Sequence, residues 1–363
     1  MTVEARRHLA DIPPCLHGSL SFREMAEGGI SPDGIIDFSA SCNPLGTAPE
    51  VSAALAKLDF SRYPDDQAVE LRRALGRILG LEAEWIAVGN GSVELVWQLA
   101  AAYLEPGDPA LVVGPTFGEY SRACRIQGAR VDELRFAEDS GFWPDPSAVF
   151  GAIRSHCPKL TFLCNPNNPT GRLLAEHQVA EILEACENTL LVVDEAYLPF
   201  CDCPPNLLPY LSNGKLLLLR SMTKDHALAG LRLGYAVACP GIIGSLGRVR
   251  APWSVNAAAQ AAGLAALEVR EQVEKARQVV AEARAYLVER LSALGLGVVP
   301  STANFLLVRV GDGSAFRAAL LSRGICVRDC ASFGLPAYVR IGVRTLPECR
   351  KLVEAAREVL AGG

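Results

Sequence analysis

Leu160-Thr161-Phe162-Leu163-Cys164 runs directly into Asn165-Pro166-Asn167-Asn168-Pro169-Thr170-Gly171. A short strand-forming run that ends in two prolines, three asparagines and a glycine specifies a rigid, non-repetitive turn. Seven such residues in succession exceed what a simple chain reversal needs. The same arrangement recurs along the chain. Residues 85–88 lead into Gly89-Asn90-Gly91-Ser92, 110–113 into Gly114-Pro115-Thr116-Phe117, and 190–193 into Asp194-Glu195-Ala196-Tyr197. Residues 216–219 lead into Arg220-Ser221-Met222-Thr223-Lys224. Helix-like stretches, among them 68–79 and 92–103, separate most of these runs. Strands alternating with helices imply an α/β fold with a mostly parallel central sheet and helices on both faces. Open parallel sheets bind ligands beyond the carboxyl ends of their strands, so five such ends predict one shared site.

The last third reads differently. A long Ala/Glu/Arg-rich helical stretch covers 257–294, and strands at 305–310 and 338–343 interleave with helices at 313–323 and 347–360. That pattern predicts a smaller α+β domain. The expected division is an N-terminal segment, 1–44, belonging to the small domain, then a large domain, 45–254, then a linking helix with the C-terminal small domain, 255–363.

Composition narrows the function. With 35 basic and 40 acidic residues the formal charge is −5, which argues against a nucleic-acid surface. No run approaches the roughly 18 apolar residues of a membrane span. The opening residues lack the apolar core of a signal peptide, so a cytoplasmic protein is expected. The twelve cysteines are scattered singly through apolar segments, as reduced, buried thiols are. Cys201-Asp202-Cys203 has no second pair at zinc spacing, and no metal site is expected.

Several residues carry candidate chemistry. Gly89-Asn90-Gly91-Ser92 opens a helix, where amide N–H groups and the helix dipole suit a phosphate. A dinucleotide fold competes for this loop, but Gly89-x-Gly91-x-x-Glu94 lacks the third glycine. Phe117 puts a ring at the sheet edge. Asp194 is a carboxylate at the end of a buried strand, costly without a partner. Lys224, one of only six lysines, sits among apolar segments and suits a Schiff-base amine.

In this order and spacing, NPNNPTG, DEAY, SMTK and GLRLGY resemble the fold-type-I pyridoxal-phosphate enzymes, the class I and II aminotransferase superfamily. The resemblance runs from about His17 to the C-terminus and implies the aspartate-aminotransferase fold. It implies that Lys224 carries the cofactor and moves the proton at the substrate's α-carbon, and that Asp194 pairs with the pyridinium nitrogen. Asn168 and Tyr197 would bond the ring's 3′ oxygen, with Phe117 stacked on its face. Gly91, Ser92, Ser221, Thr223 and Arg232 would cradle the cofactor phosphate. Tyr63 matches a tyrosine that reaches the neighbouring subunit's cofactor, implying a homodimer.

For the substrate, Arg340 matches the family's carboxylate-binding arginine. His17-Gly18, Ile30-Ser31-Pro32-Asp33, Asn43-Pro44-Leu45-Gly46, Val327-Arg328-Asp329-Cys330 and Arg344 resemble threonine-phosphate decarboxylases of the cobalamin pathway. Gly89–Ser92 and Ala227-Leu228-Ala229-Gly230-Leu231 are closer to histidinol-phosphate aminotransferases. Asp225-His226 matches neither pattern. Two anion sites, built from His17, Arg328, Arg340 and Arg344, would suit a small phosphorylated amino acid. The expectation is a decarboxylase acting on threonine phosphate. The alternative is an aminotransferase acting on histidinol phosphate with 2-oxoglutarate. The two differ in which α-carbon bond stands perpendicular to the cofactor ring. A sensor domain of a transcription regulator is the non-enzyme reading; no helix-turn-helix segment precedes the fold, and the catalytic set is intact.

Overall fold

The computed structural model describes residues 3, 4, 6–15, 17, 18, 20–29 and 31–362; Ile30, quoted above, lies outside them. A two-residue strand, β1 (Ile36–Asp37), precedes the large sheet. That sheet comprises β2 (Ile86–Asn90), β3 (Pro109–Gly114), β4 (Arg130–Arg135), β5 (Leu160–Cys164), β6 (Leu190–Asp194), β7 (Leu216–Ser221) and β8 (Leu233–Ala238). Its spatial order is β2-β8-β7-β6-β5-β3-β4, with only β8 antiparallel to its neighbours. The five strands read from the sequence all point the same way, so their carboxyl ends share one edge of the sheet.

Consecutive residues of these strands face opposite sides of the sheet, and both sides are buried. Phe162 and Val192 join Leu95, Leu99 and Tyr120 on one face. Leu163, Leu191 and Val193 join Val149, Ile153 and Ile182 on the other. Burial of each such side chain stabilises by about 1.5–3 kcal/mol, so neither face tolerates a polar strand residue without a partner. The exception is β4. Its sequence, Arg-Val-Asp-Glu-Leu-Arg, alternates polar residues at the sheet's edge and reads as no strand at all from hydropathy.

The second sheet holds β9 (Gly297–Val298), β10 (Phe305–Arg309), β12 (Arg328–Asp329) and β13 (Tyr338–Gly342), while β11 (Ile325–Cys326) pairs with β1. The predicted helix over 257–294 is two helices, Ala257–Glu268 and Glu271–Ala293, broken at Val269 and Arg270. Val280 and Leu287 of the longer one pack with Leu306, Ile341 and Leu352. Phe38 lies in this same core, and its backbone bonds Cys326 and Gly342, both at 2.7 Å. The N-terminal segment is thereby tied to the small sheet. No helix among the described residues is long and apolar enough to cross a membrane.

Candidate active site

The NPNNPTG turn follows β5, and its three asparagines do three different jobs. Asn165 closes the turn on itself, donating to the Leu174 carbonyl at 3.0 Å and accepting from the Leu174 amide at 2.7 Å. Asn167 donates to the Pro115 carbonyl at 2.9 Å and so locks the turn to the loop that carries Phe117. Asn168 lines the cleft, and its Oδ1 accepts from Arg340 Nη1 at 2.5 Å.

Around this turn lies a cleft with about 560 Å³ of atom-free space, part of it open to solvent. Ser92, Phe117, Asn168, Asp194, Tyr197, Ser221, Thr223, Lys224 and Arg232 line it, as do Tyr120, Cys164 and Ala196. Asp194, at the end of β6, is fully buried, and burial pushes its carboxyl above the usual range. Hydrogen bonds from Tyr120 and the Ala196 amide, and the charge of Lys224, act in the opposite direction. Tyr197 is held by an edge-to-face contact with Phe305 (centroids 4.8 Å apart), and Lys224 Nζ lies 5.8 Å from the Tyr197 ring centre.

At the other end, the Ser221 and Thr223 hydroxyls lie 2.6 Å apart beside Arg232 and the start of the helix Ser92–Tyr103. Gly91 caps that helix at φ +73°, and a Cβ there would meet the Arg232 guanidinium at 2.6 Å. Only glycine fits both the backbone angle and the arginine's approach. Hydroxyls, a guanidinium and a helix N-terminus converging at one end suit a phosphate. A buried carboxylate, an aromatic face and a lysine at the other suit a planar, basic ring. The donor set therefore fits a phosphorylated pyridine aldehyde.

Two features near the lysine escape a motif reading. The Asn43 amide donates to the Lys224 carbonyl at 2.8 Å, and Asn43 Nδ2 donates to the Asp225 carbonyl at 2.8 Å, so the Asn43-Pro44-Leu45-Gly46 loop clamps the lysine's backbone. Behind it, Glu195 accepts from Arg220 Nε at 2.7 Å, a buried pair bridging β6 and β7. His226 is nearly buried, 3.8 Å from Asp225.

The predicted substrate residues separate. Arg340 is 5% exposed, donates to Asn168 and to the Ser39 carbonyl (2.8 Å), and its buried Nε has no hydrogen-bond partner among the described residues. Arg328 stands opposite it across β12 and β13 and donates to Ser332 at 2.7 Å. Gly18 packs between them, since a Cβ there would lie 3.0 Å from Arg340 Nη2 and 3.2 Å from Arg328 Cδ. His17 lies 3.2 Å from Glu119, its ring 5.7 Å from that of Phe117. The Glu119 carboxylate also accepts from Trp97 at 3.0 Å. None of His17, Arg328, Arg340 and Arg344 is among the residues lining the cleft; Arg340 reaches it through Asn168, whereas Arg344 bonds Glu348 at 2.7 Å and the Asp37 carbonyl at 3.2 Å. Tyr63 lies outside the cleft too, 79% exposed and stacked on Trp253 at 4.5 Å. A second cavity of about 1200 Å³ adjoins Phe117, lined by Pro13, Cys15, Arg122, Arg125 and Arg135.

The model of aminotransferase classes I and II matches residues 33–355. The chain belongs to this family. It is 40% identical to a histidinol-phosphate aminotransferase of Symbiobacterium thermophilum, over 91% of each chain. Among solved structures it is similar to the histidinol-phosphate aminotransferase of Sinorhizobium meliloti in complex with pyridoxal 5′-phosphate. That likeness has TM-score 0.81 and 27% identity, over 89% of this chain and 90% of that one. The protein is thus a pyridoxal-phosphate-dependent enzyme of the aspartate-aminotransferase fold, and the cofactor suits the cleft's donor set.

These comparisons correct the decarboxylase expectation. Curated relatives between 32% and 40% identical carry the histidinol-phosphate aminotransferase name. A threonine-phosphate decarboxylase, from Porphyromonas gingivalis, enters as a structural neighbour at 26% identity (TM-score 0.79, over 89% of this chain and 99% of that one). Among the motifs shared with decarboxylases, Gly18 packs against Arg340 and Arg328, and Asn43 clamps the lysine's backbone. They report on that packing rather than on which α-carbon bond is broken. The lyase and cobalamin readings fall with it.

Proposed function

We propose that this aminotransferase is of the histidinol-phosphate type, passing the amino group of histidinol phosphate to 2-oxoglutarate. The 40% identity to a relative of that name, across 91% of both chains, carries the reading. Pyridoxal phosphate, when bound, would supply the electron sink for chemistry at the substrate's α-carbon. Lys224 carries the cofactor and moves the proton at that carbon. Asp194 would hold the proton on the ring nitrogen, Asn168 and Tyr197 would donate to the 3′ oxygen, and Phe117 would cover the ring. The amide groups at Gly91 and Ser92, with Ser221, Thr223 and Arg232, bind the cofactor phosphate.

Arg340 and Arg328, side by side across two strands, bind the anionic end of the substrate, and His17, held near Glu119 and Phe117, joins them in the bound state. A guanidinium fork suits both a phosphate and the carboxylate of 2-oxoglutarate, which one site meets in turn. Exposure of Tyr63 supports a homodimer in which it reaches the partner's cofactor phosphate. The twelve free thiols support a cytoplasmic enzyme. The packing of Phe38 in the small-sheet core supports placing the N-terminal segment, 1–44, with the small domain.

The test is a product assay on cofactor-loaded enzyme. One sample receives histidinol phosphate with 2-oxoglutarate, another aspartate with 2-oxoglutarate. Glutamate formed in the first well above the second is the expected result. Glutamate from aspartate alone would overturn the substrate assignment and leave the aminotransferase standing.

A further inference from the structure

Asp194 does not stand alone. Its Oδ1 accepts from the Ala196 amide at 2.9 Å, and its Oδ2 accepts from the phenol of Tyr120 at 2.7 Å. Tyr120 lies in the helix Glu119–Ile126 and is 1% exposed. Its ring is stacked on Phe162 (5.0 Å, 9°) and meets Phe117 edge-on (5.5 Å, 83°). One phenol thus joins three strand ends, the Phe117 loop after β3, β5 through Phe162, and β6 through Asp194.

The chemistry of this contact is specific. A carboxylate buried in an apolar wall is unstable as an anion, and neutral hydrogen-bond donors are what keep it ionised. Burial holds the Tyr120 phenol well above its usual range, so it remains a neutral O–H donor at any working pH. A ring nitrogen paired with Asp194 keeps its proton only while the carboxylate is the weaker base of the two. Loss of a donor would make Asp194 the stronger base and draw the proton away.

We propose that Tyr120 is a positioning residue whose phenol aims Asp194 and keeps the cofactor's ring nitrogen protonated. This rests on the reading that Asp194 faces that nitrogen. A core role alone would need only the ring, because Phe retains both aromatic contacts. Tyr120→Phe therefore separates the phenol from the packing.

The experiment loads the enzyme with pyridoxal phosphate labelled with ¹⁵N in the ring and records the nitrogen's NMR shift in wild type, Tyr120→Phe and Asp194→Asn. Asp194→Asn is expected to move the shift fully to the unprotonated value, and Tyr120→Phe part of the way. With histidinol phosphate, Tyr120→Phe is expected to lower kcat about 10- to 100-fold, the effect of losing one hydrogen bond to a charged group, with KM within about threefold. Placing 3-fluorotyrosine at position 120 keeps the shape and strengthens the donor, so it should not move the shift toward the unprotonated value. An unchanged shift and kcat in Tyr120→Phe, with Asp194→Asn shifted, would overturn the proposal alone. An unchanged shift in Asp194→Asn would overturn the Asp194 reading beneath it.

Discussion

The two halves of the cleft are built differently. On the large sheet, five parallel strands end at one edge; four are followed by polar residues that line the same space, and β3 by the ring of Phe117. On the small sheet, three arginines that look alike in sequence meet three different fates. Arg340 is buried against Asn168, Arg328 stands beside it on the neighbouring strand, and Arg344 is spent on Glu348. Parallel strand ends converge by topology, so position after a strand is enough to place a side chain. Faces alternate along the strands of both sheets, but Arg344 lies two residues past the end of β13 and bonds Glu348 of the helix that follows instead.

The largest effect should fall on the large-sheet half. Lys224→Ala is expected to abolish the cofactor's visible absorbance and to lower kcat/KM by about 10⁴-fold or more, since it removes the amine proposed to anchor the cofactor and to move the proton. Retained absorbance would break the assignment of that lysine. Next comes Arg340→Ala, which removes charge-assisted hydrogen bonds worth about 1.5–3 kcal/mol each. Titration kinetics should show KM for histidinol phosphate raised by roughly 10- to 100-fold, with cofactor absorbance kept. Arg340→Lys should recover only part of the loss, because an ammonium lacks the fork. If cofactor binding fails while KM holds, Arg340 belongs to the cofactor half through Asn168, and the contrast between the halves collapses.

The same contrast explains what was legible in the sequence. Most residues proposed for the cofactor follow an apolar strand run, Arg232 instead standing just before β8, and the runs at 160–164 and 216–219 are strands as read, the second extended to Ser221. Tyr120 was not legible: it lies inside a helix, three residues past Phe117, and only folding shows that its phenol meets Asp194. β4 was hidden by its charges and β8 by its glycine-rich motif; Gly234 of β8 is there because a side chain would strike the Ser92 backbone. Reaction type was not legible either. It depends on which substrate bond the arginines hold perpendicular to the ring, and residue identity does not fix a dihedral angle.

A smaller effect separates the halves by pH. Burial raises the Asp194 carboxyl, so the folded apoenzyme holds this proton where the unfolded chain, with a carboxyl near 3.9, has released it. The resulting stability is present below the unfolded value and is lost as pH rises through the raised folded one. Calorimetry on apoenzyme should show the midpoint falling across that window more steeply in wild type than in Asp194→Asn. Parallel curves would mean that Tyr120 and Lys224 offset the burial completely.

The smallest effect should come from Arg344→Ala. Arg344 and Thr345 both bond Glu348, which closes a capping box at the start of the helix Leu346–Ala361. Burial works against the Glu348 carboxylate, but these hydrogen bonds hold it below its usual range. A carboxyl depressed in this way stabilises the fold above its unfolded value, and the contribution disappears as pH falls through the folded one. At neutral pH the substitution should cost about 0.5–1 kcal/mol, or a few degrees in Tm at most, with the loss shrinking in acid. Its kcat/KM for histidinol phosphate should stay within about twofold of wild type. A rise in KM comparable to that of Arg340→Ala would return Arg344 to the substrate. The small sheet would then deliver its arginines to one place, as the large sheet delivers its strand ends.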